Sequence, residues 1–104
     1  MPTAKVNVNT TNASPAAAKG SASDQTQFLW SNDDDSVDLT VVFNPDTPAI
    51  FTGFGSPPSI PVPAGGDSGN ITLDSGAPTG RYPYEVVDSL KIVRNGPHLI
   101  IVDP

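Results

Sequence analysis

Apolar and polar positions alternate along much of the chain with a period of two, which is the pattern of strands that bury one face. Two runs are clearest. Over residues 80–87, Tyr82, Tyr84 and Val86 share one face, and Arg81, Pro83 and Glu85 share the other. Over residues 36–43, Val37, Leu39, Val41 and Phe43 fall together, with Asp38 and Thr40 opposite. Residues 3–9 carry Ala4, Val6 and Val8 on one side, and residues 26–31 carry Phe28 and Trp30. Residues 70–74 bury Ile71 and Leu73. The last run, residues 98–103, is apolar on both faces through Leu99-Ile100-Ile101-Val102, which predicts an internal strand. Shorter strands are expected at residues 49–51, at residues 59–62 on a sheet edge, and at residues 91–94 inside a loop that follows Asp88.

The segments between these runs are turn chemistry. Asn32-Asp33-Asp34-Asp35 is a polar turn that would join its two flanking strands as a hairpin. Pro45 stops the strand before it, and Pro57, Pro58, Pro61, Pro63 and Gly65-Gly66 punctuate residues 53–69. Residues 10–24 are rich in Thr, Asn, Ala and Ser and read as a loop. Within it Ala16-Ala17-Ala18-Lys19-Gly20 makes at most one helical turn. Pro83 has no N–H for a ladder, so its strand should have an open side or a bulge there. Seven or eight short strands with frequent turns and no helix predict one all-β domain over residues 1–104, an antiparallel Greek-key β-sandwich. Trp30, the only tryptophan, is its expected centre, with an indole N–H that needs an acceptor.

Composition narrows the chemistry. With 104 residues the chain suits one modest core, and 12 Pro and 9 Gly favour short strands over helices. Its formal net charge of −6 repels phosphate, which makes nucleic acid and anionic membrane surfaces poor partners. There are no cysteines, so disulfides, thiol catalysis and Cys-based metal sites are excluded. The N-terminus has no apolar run of signal-peptide length and no stretch approaches a membrane span; either the protein is cytoplasmic, the default expectation, or a leader has been removed. Asn9, Asn12 and Asn70 open N-x-S/T triplets, which chance explains in so Asn-, Thr- and Ser-rich a chain.

Three motifs resemble the cupredoxins. Trp30-Ser31-Asn32, with its Asp-rich turn and the strand over residues 37–43, is similar to the family's W-x-N turn and following strand. Gly65-Gly66-Asp67-Ser68 before Ile71-Thr72-Leu73 resembles the Gly-rich turn ahead of a later strand. Gly80-x-Tyr82-x-Tyr84-x-Val86 resembles G-x-Y-x-Y-x-C, with Leu99 to Val102 as the terminal strand. The match spans residues 25–104 and implies a cupredoxin-like fold. The departures fall on the metal. The copper thiolate of the family would stand at Val86 and its first histidine near Asp38. The second histidine meets Val87, Asp88, Ser89, Leu90 and Lys91 instead. Blue copper needs two imidazoles and a thiolate, and this chain has one histidine and no thiol. The resemblance thus implies a copper-free sandwich.

The remaining constellations are few. His98 opens the last strand with no nucleophile or carboxylate beside it in sequence, so it reads as a boundary residue, placed by the resemblance towards the copper pole. Asp33-Asp34-Asp35 with Asp38 is the densest carboxylate cluster, and oxygen ligands so close could hold Ca²⁺. It lacks the D-x-D-x-D-G spacing and distal Glu of an EF-hand loop, which favours a solvated acidic turn. No Walker loop occurs, and nothing pairs two carboxylates as glycoside hydrolysis requires. The run Phe51, Phe54, Pro57, Pro58, Ile60, Pro61, Val62, Pro63 reads as a loop over one end of the sandwich or as a contact surface whose edge strand could pair with another copy. The expected function is a non-enzymatic, cofactor-free binding or structural module. Its partner is an unidentified protein or a second copy of the chain. Calcium binding through the turn from Asp33 to Asp38 is the alternative.

Overall fold

The computed structural model describes residues 3–9, 13–14, 17–88 and 98–103. Within them nine strands succeed one another without a helix: β1 (Thr3–Val8), β2 (Ala13–Ser14), β3 (Ala17–Ser21), β4 (Gln27–Asn32), β5 (Leu39–Phe43), β6 (Ser59–Val62), β7 (Ile71–Thr72), β8 (Gly80–Asp88) and β9 (His98–Asp103). They form two sheets, ordered β2-β1-β4-β7 and β3-β9-β8-β5-β6. The alternating residues behave as their period demands: Val6, Val8, Phe28, Trp30, Leu39, Val41, Phe43, Tyr84, Val86, Ile100 and Val102 all point into the space between the sheets. The result is a cupredoxin-like β-sandwich.

Five aromatic rings occupy its centre. Trp30 lies 5.8 Å from Phe28, 6.1 Å from Phe51 and 6.0 Å from Tyr84 between ring centroids, and Phe43 lies 5.3 Å from Tyr84. The contacts of Trp30 with Phe51 and Tyr84 are edge-on, the arrangement that brings a positive ring edge to a negative ring face. Each such pair contributes about 0.5–1.5 kcal/mol beyond the area it buries.

Several expectations are corrected. The sheets are mixed, because β1 runs parallel to β4 and β3 parallel to β9. Strands β4 and β5 are not a hairpin, because they belong to different sheets and the Asp-rich turn crosses the sandwich. Strand β5 starts at Leu39 rather than at residue 36, and Val37 packs half-buried against the core. Residues 49–51 form one bridge, Phe51 with Leu73.

The segment read as a loop or helical turn holds β2 and β3. Here small residues reflect crowding, not helix preference. Ala18 and Gly20 face inward, and a Cβ on Gly20 would stand 2.7 Å from Phe28 Cζ and 3.0 Å from Leu73 Cδ1. Other expectations hold. Strand β9 is internal, between β3 and β8, and β6 is a sheet edge. Pro83 sits where β8 outruns β5: Asn44 N–H donates to Pro83 O at 3.4 Å, and the return bond that Pro83 cannot make is simply missing. The short strand expected at residues 91–94 lies outside the described residues.

Candidate functional site

One end of the sandwich gathers the residues that carry the resemblance. Asn32 closes β4 and is buried. Its backbone N–H donates to Gly66 O at 2.8 Å. Its side-chain Nδ2 donates to Val37 O at 2.8 Å and to Val62 O at 3.2 Å, while Oδ1 accepts the Asp34 N–H at 2.9 Å. One amide thus joins the end of β4, the start of the crossing and the end of β6. The Gly-rich turn is clasped to the same strand. Ser68 N–H donates to Trp30 O at 2.8 Å, and Trp30 N–H donates to Ser68 Oγ at 3.0 Å. Gly65 N–H reaches Asp34 O at 2.9 Å, from a backbone with φ of 66° that favours glycine. The W-x-N and Gly-rich motifs, far apart in sequence, are one hydrogen-bonded unit.

The acidic turn is occupied by its own backbone. Asp34 Oδ1 accepts both the N–H and the hydroxyl of Ser36, at 2.9 and 2.8 Å, and those donors hold its carboxyl below the usual carboxylate range. Asp38 Oδ1 accepts the Ala64 N–H at 2.9 Å, and Asp67 Oδ1 accepts the Gly69 N–H at 2.9 Å. The Asp34 and Asp67 bonds are turn-forming contacts of the kind short Asp side chains make with nearby N–H groups, whereas the Asp38 bond ties the crossing to the segment after β6. Among the described residues no three His, Cys, Asp or Glu side chains gather closely enough to hold a metal ion. The calcium reading of Asp33 to Asp38 therefore has no support in the geometry.

The positions that the resemblance assigns to copper ligands are filled by other things. Val86 is fully buried and paired with Val41 on β5. Asp38 precedes β5 and is engaged with Ala64. Asp88, opposite Leu39, is buried at the end of β8. His98 does not reach this pole along its strand: its backbone is in register with Tyr84, which itself pairs with Phe43 at the far end of β5. Residues 89–91, where a second ligand was sought, lie outside the described residues.

Tyr84 and Trp30 each put a polar atom into the aromatic centre. Burial pushes the Tyr84 phenol above its ordinary value, and the Trp30 indole N–H beside it offsets part of that. Tyr82, expected to share the inward face with Tyr84, is half-buried and does something else. Its hydroxyl donates to Pro78 O at 2.6 Å, tying the turn before β8 to the strand, a tyrosine-corner arrangement. The spacing of the tyrosines from Gly80 was the signal for it, although their alternation alone assigns both to the core.

The proline-rich run divides. Phe51, Pro58, Ile60 and Val62 are buried, and Phe54 rests half-buried against Phe51 at 6.5 Å. Only Pro57, Pro61 and Pro63 of that run are exposed. Two open clefts lie at the opposite pole. One of ≈ 290 Å³ is lined by Lys19, Asp24, Thr26 and Asp103, and one of ≈ 260 Å³ by Asp46, Arg81 and Tyr82. In the first, Lys19 Nζ meets Asp103 Oδ2 at 3.0 Å, an exposed pair of small energetic worth. Neither lining set offers a nucleophile with a base beside it.

Comparison with known proteins agrees with the fold. A novel purple cupredoxin from Nitrosopumilus maritimus superposes with a TM-score of 0.58 at 20% sequence identity, over 96% of this chain and 99% of that one. No protein-family model matches the chain, and no curated protein matches it. The shared feature is the architecture; at this identity it extends to nothing finer.

Proposed function

We propose that the chain is a copper-free cupredoxin-like module that binds or scaffolds without catalysing a reaction or carrying electrons. One observation carries this: where the family resemblance puts the thiolate, Val86 stands fully buried against Val41, in a chain that has no cysteine and one histidine. A type 1 copper centre is built from a thiolate and two imidazoles, and the thiolate sets its colour and potential. The residues present do not fit that ion. Asp38 is committed to Ala64, and hard carboxylate oxygen is a poor substitute for the soft donor. No cofactor is needed in this reading. The partner is another protein, because a net charge of −6 opposes nucleic acid and anionic lipid.

Copper titration of the purified protein tests the proposal. Cu(II) is expected to leave the visible spectrum without an intense charge-transfer band and to bind, at most, weakly. Stoichiometric uptake with an intense blue or purple colour overturns it.

A further inference from the structure

Every open sandwich has strand edges whose unpaired N–H and C=O groups can recruit another chain. Among the described residues three of the four edges are short or occupied. The outer side of β7 is covered, since Thr52 N–H donates to Thr72 O at 2.9 Å and Asp74 N–H donates to Ile50 O at 2.9 Å. Strand β2 is two residues long. On β3, Ser21 is held by Thr26, with Ser21 N–H donating to Thr26 Oγ1 at 2.9 Å and Thr26 N–H to Ser21 O at 3.1 Å. Lys19 then places a charge on what remains of that edge.

Among the described residues strand β6 is the edge with no such cover, and its register decides what it offers. Phe43 N–H donates to Pro58 O, so the residues in step with Pro58, namely Ile60 and Val62, turn their main chain towards β5. Ser59 and Pro61 turn theirs outwards, and so does Pro63 just past the strand. Of these only Ser59 has an N–H. The Pro63 carbonyl is already used by Gly66 N–H at 3.0 Å. An added strand exchanges N–H and C=O bonds with alternate residues. At Pro61 it would find an acceptor and no donor, with an exposed pyrrolidine ring in its path.

We propose that Pro61 closes the β6 edge to a second copy of this chain, and that this is why a β-prone segment, Ser59-Ile60-Pro61-Val62, can stand exposed. Replacing this one ring would leave Ser59 and residue 61 as two consecutive outward-facing positions, each with donor and acceptor. Because the Pro61 side chain is exposed and lies on the outer face opposite Thr40, Pro61→Thr changes the edge without touching the core.

The test is solution mass over a concentration series, with amide exchange. The natural chain is expected at the mass of one copy, with the Ser59 amide exchanging as an open edge group. Pro61→Thr is expected to shift to the mass of two copies or more, with Ser59 protected. Adding Ser59→Pro to Pro61→Thr moves the ring to the other outward position and is expected to return the chain to one copy. A Pro61→Thr protein that keeps the native circular dichroism and stays at one copy throughout overturns the proposal. Association that Ser59→Pro fails to reverse also overturns it, as does a natural chain whose Ser59 amide is already protected in a dimer.

Discussion

Asn32 is the residue whose loss the structure predicts most sharply. Replacing it with alanine removes three hydrogen bonds at once: Nδ2 to Val37 O, Nδ2 to Val62 O, and the Asp34 N–H to Oδ1. At a net worth of about 1 kcal/mol each these amount to roughly 3 kcal/mol. For a domain whose total stability is about 5–15 kcal/mol this is a large share. With an m-value of about 1–3 kcal/mol per M, the urea midpoint should fall by roughly 1–3 M at unchanged slope. Asn32→Asp separates the hydrogen bonds from the volume. The new carboxylate oxygen would face two carbonyl oxygens, so near neutral pH it should be at least as damaging as alanine. Burial among acceptors raises that carboxyl's folded pKa above its unfolded value of about 4. Its stability is then greatest below the unfolded value and is lost as pH rises through the folded one. The Asp variant should therefore recover on mild acidification, and the Ala variant should not. A loss below about 1 kcal/mol for Asn32→Ala, or equal pH dependence of the two, would refute the idea that this amide holds the crossing together.

Gly20→Ala should lower the thermal midpoint, because its Cβ would press on Phe28 and Leu73; overpacking of about 1–3 kcal/mol outweighs the few tenths that alanine gains through the unfolded chain, and an unchanged midpoint would count against the close approach. Carbon-detected NMR titration should find Asp34 ionising below the ordinary aspartate value, and Ser36→Ala should move it back up. Since that folded pKa is depressed, its stabilisation is present above the unfolded value and is lost as pH falls through the folded one. At the alkaline end, difference absorption should show both tyrosines ionising above about 10. Both phenols are raised by burial, so stability is complete below the unfolded value and falls as pH climbs towards the folded ones; a tyrosine titrating at the ordinary value would contradict the packing.

The sandwich was legible wherever strands alternate over several residues, as in β5 and β8, because a two-residue period has one way to bury itself. It was illegible where small residues do the packing. Ala18 and Gly20 carry little apolar signal, and at Gly20 the Phe28 ring and the Leu73 side chain explain why nothing larger fits. The misread hairpin has a different cause. A turn of Asn and Asp between two strands looks alike whether the chain folds back in one sheet or crosses to the other, and the deciding contact, Asn32 with Val62, is long-range. Ile60 shows the same limit. The proline-rich run reads as a packed loop or as a contact surface, and Ile60 within it is fully buried, so truncating it would test the core and not an interface.

The motifs that carry the resemblance hold the fold together. Asn32 and the turn from Gly65 to Ser68 lock the end of β4 to the other sheet, and Tyr82 locks the start of β8. None of these contacts needs an ion to be complete. The positions the resemblance gives to the metal are instead closed by ordinary means, Val86 by packing and Asp38 by a backbone donor. Pattern likeness to a metalloprotein family can therefore rest on residues that hold the scaffold, because the scaffold and the ligands answer to different physical demands. A functional surface on this chain is accordingly to be sought in what the sandwich leaves exposed, and strand pairing at β6 is the one mode of contact its prolines oppose.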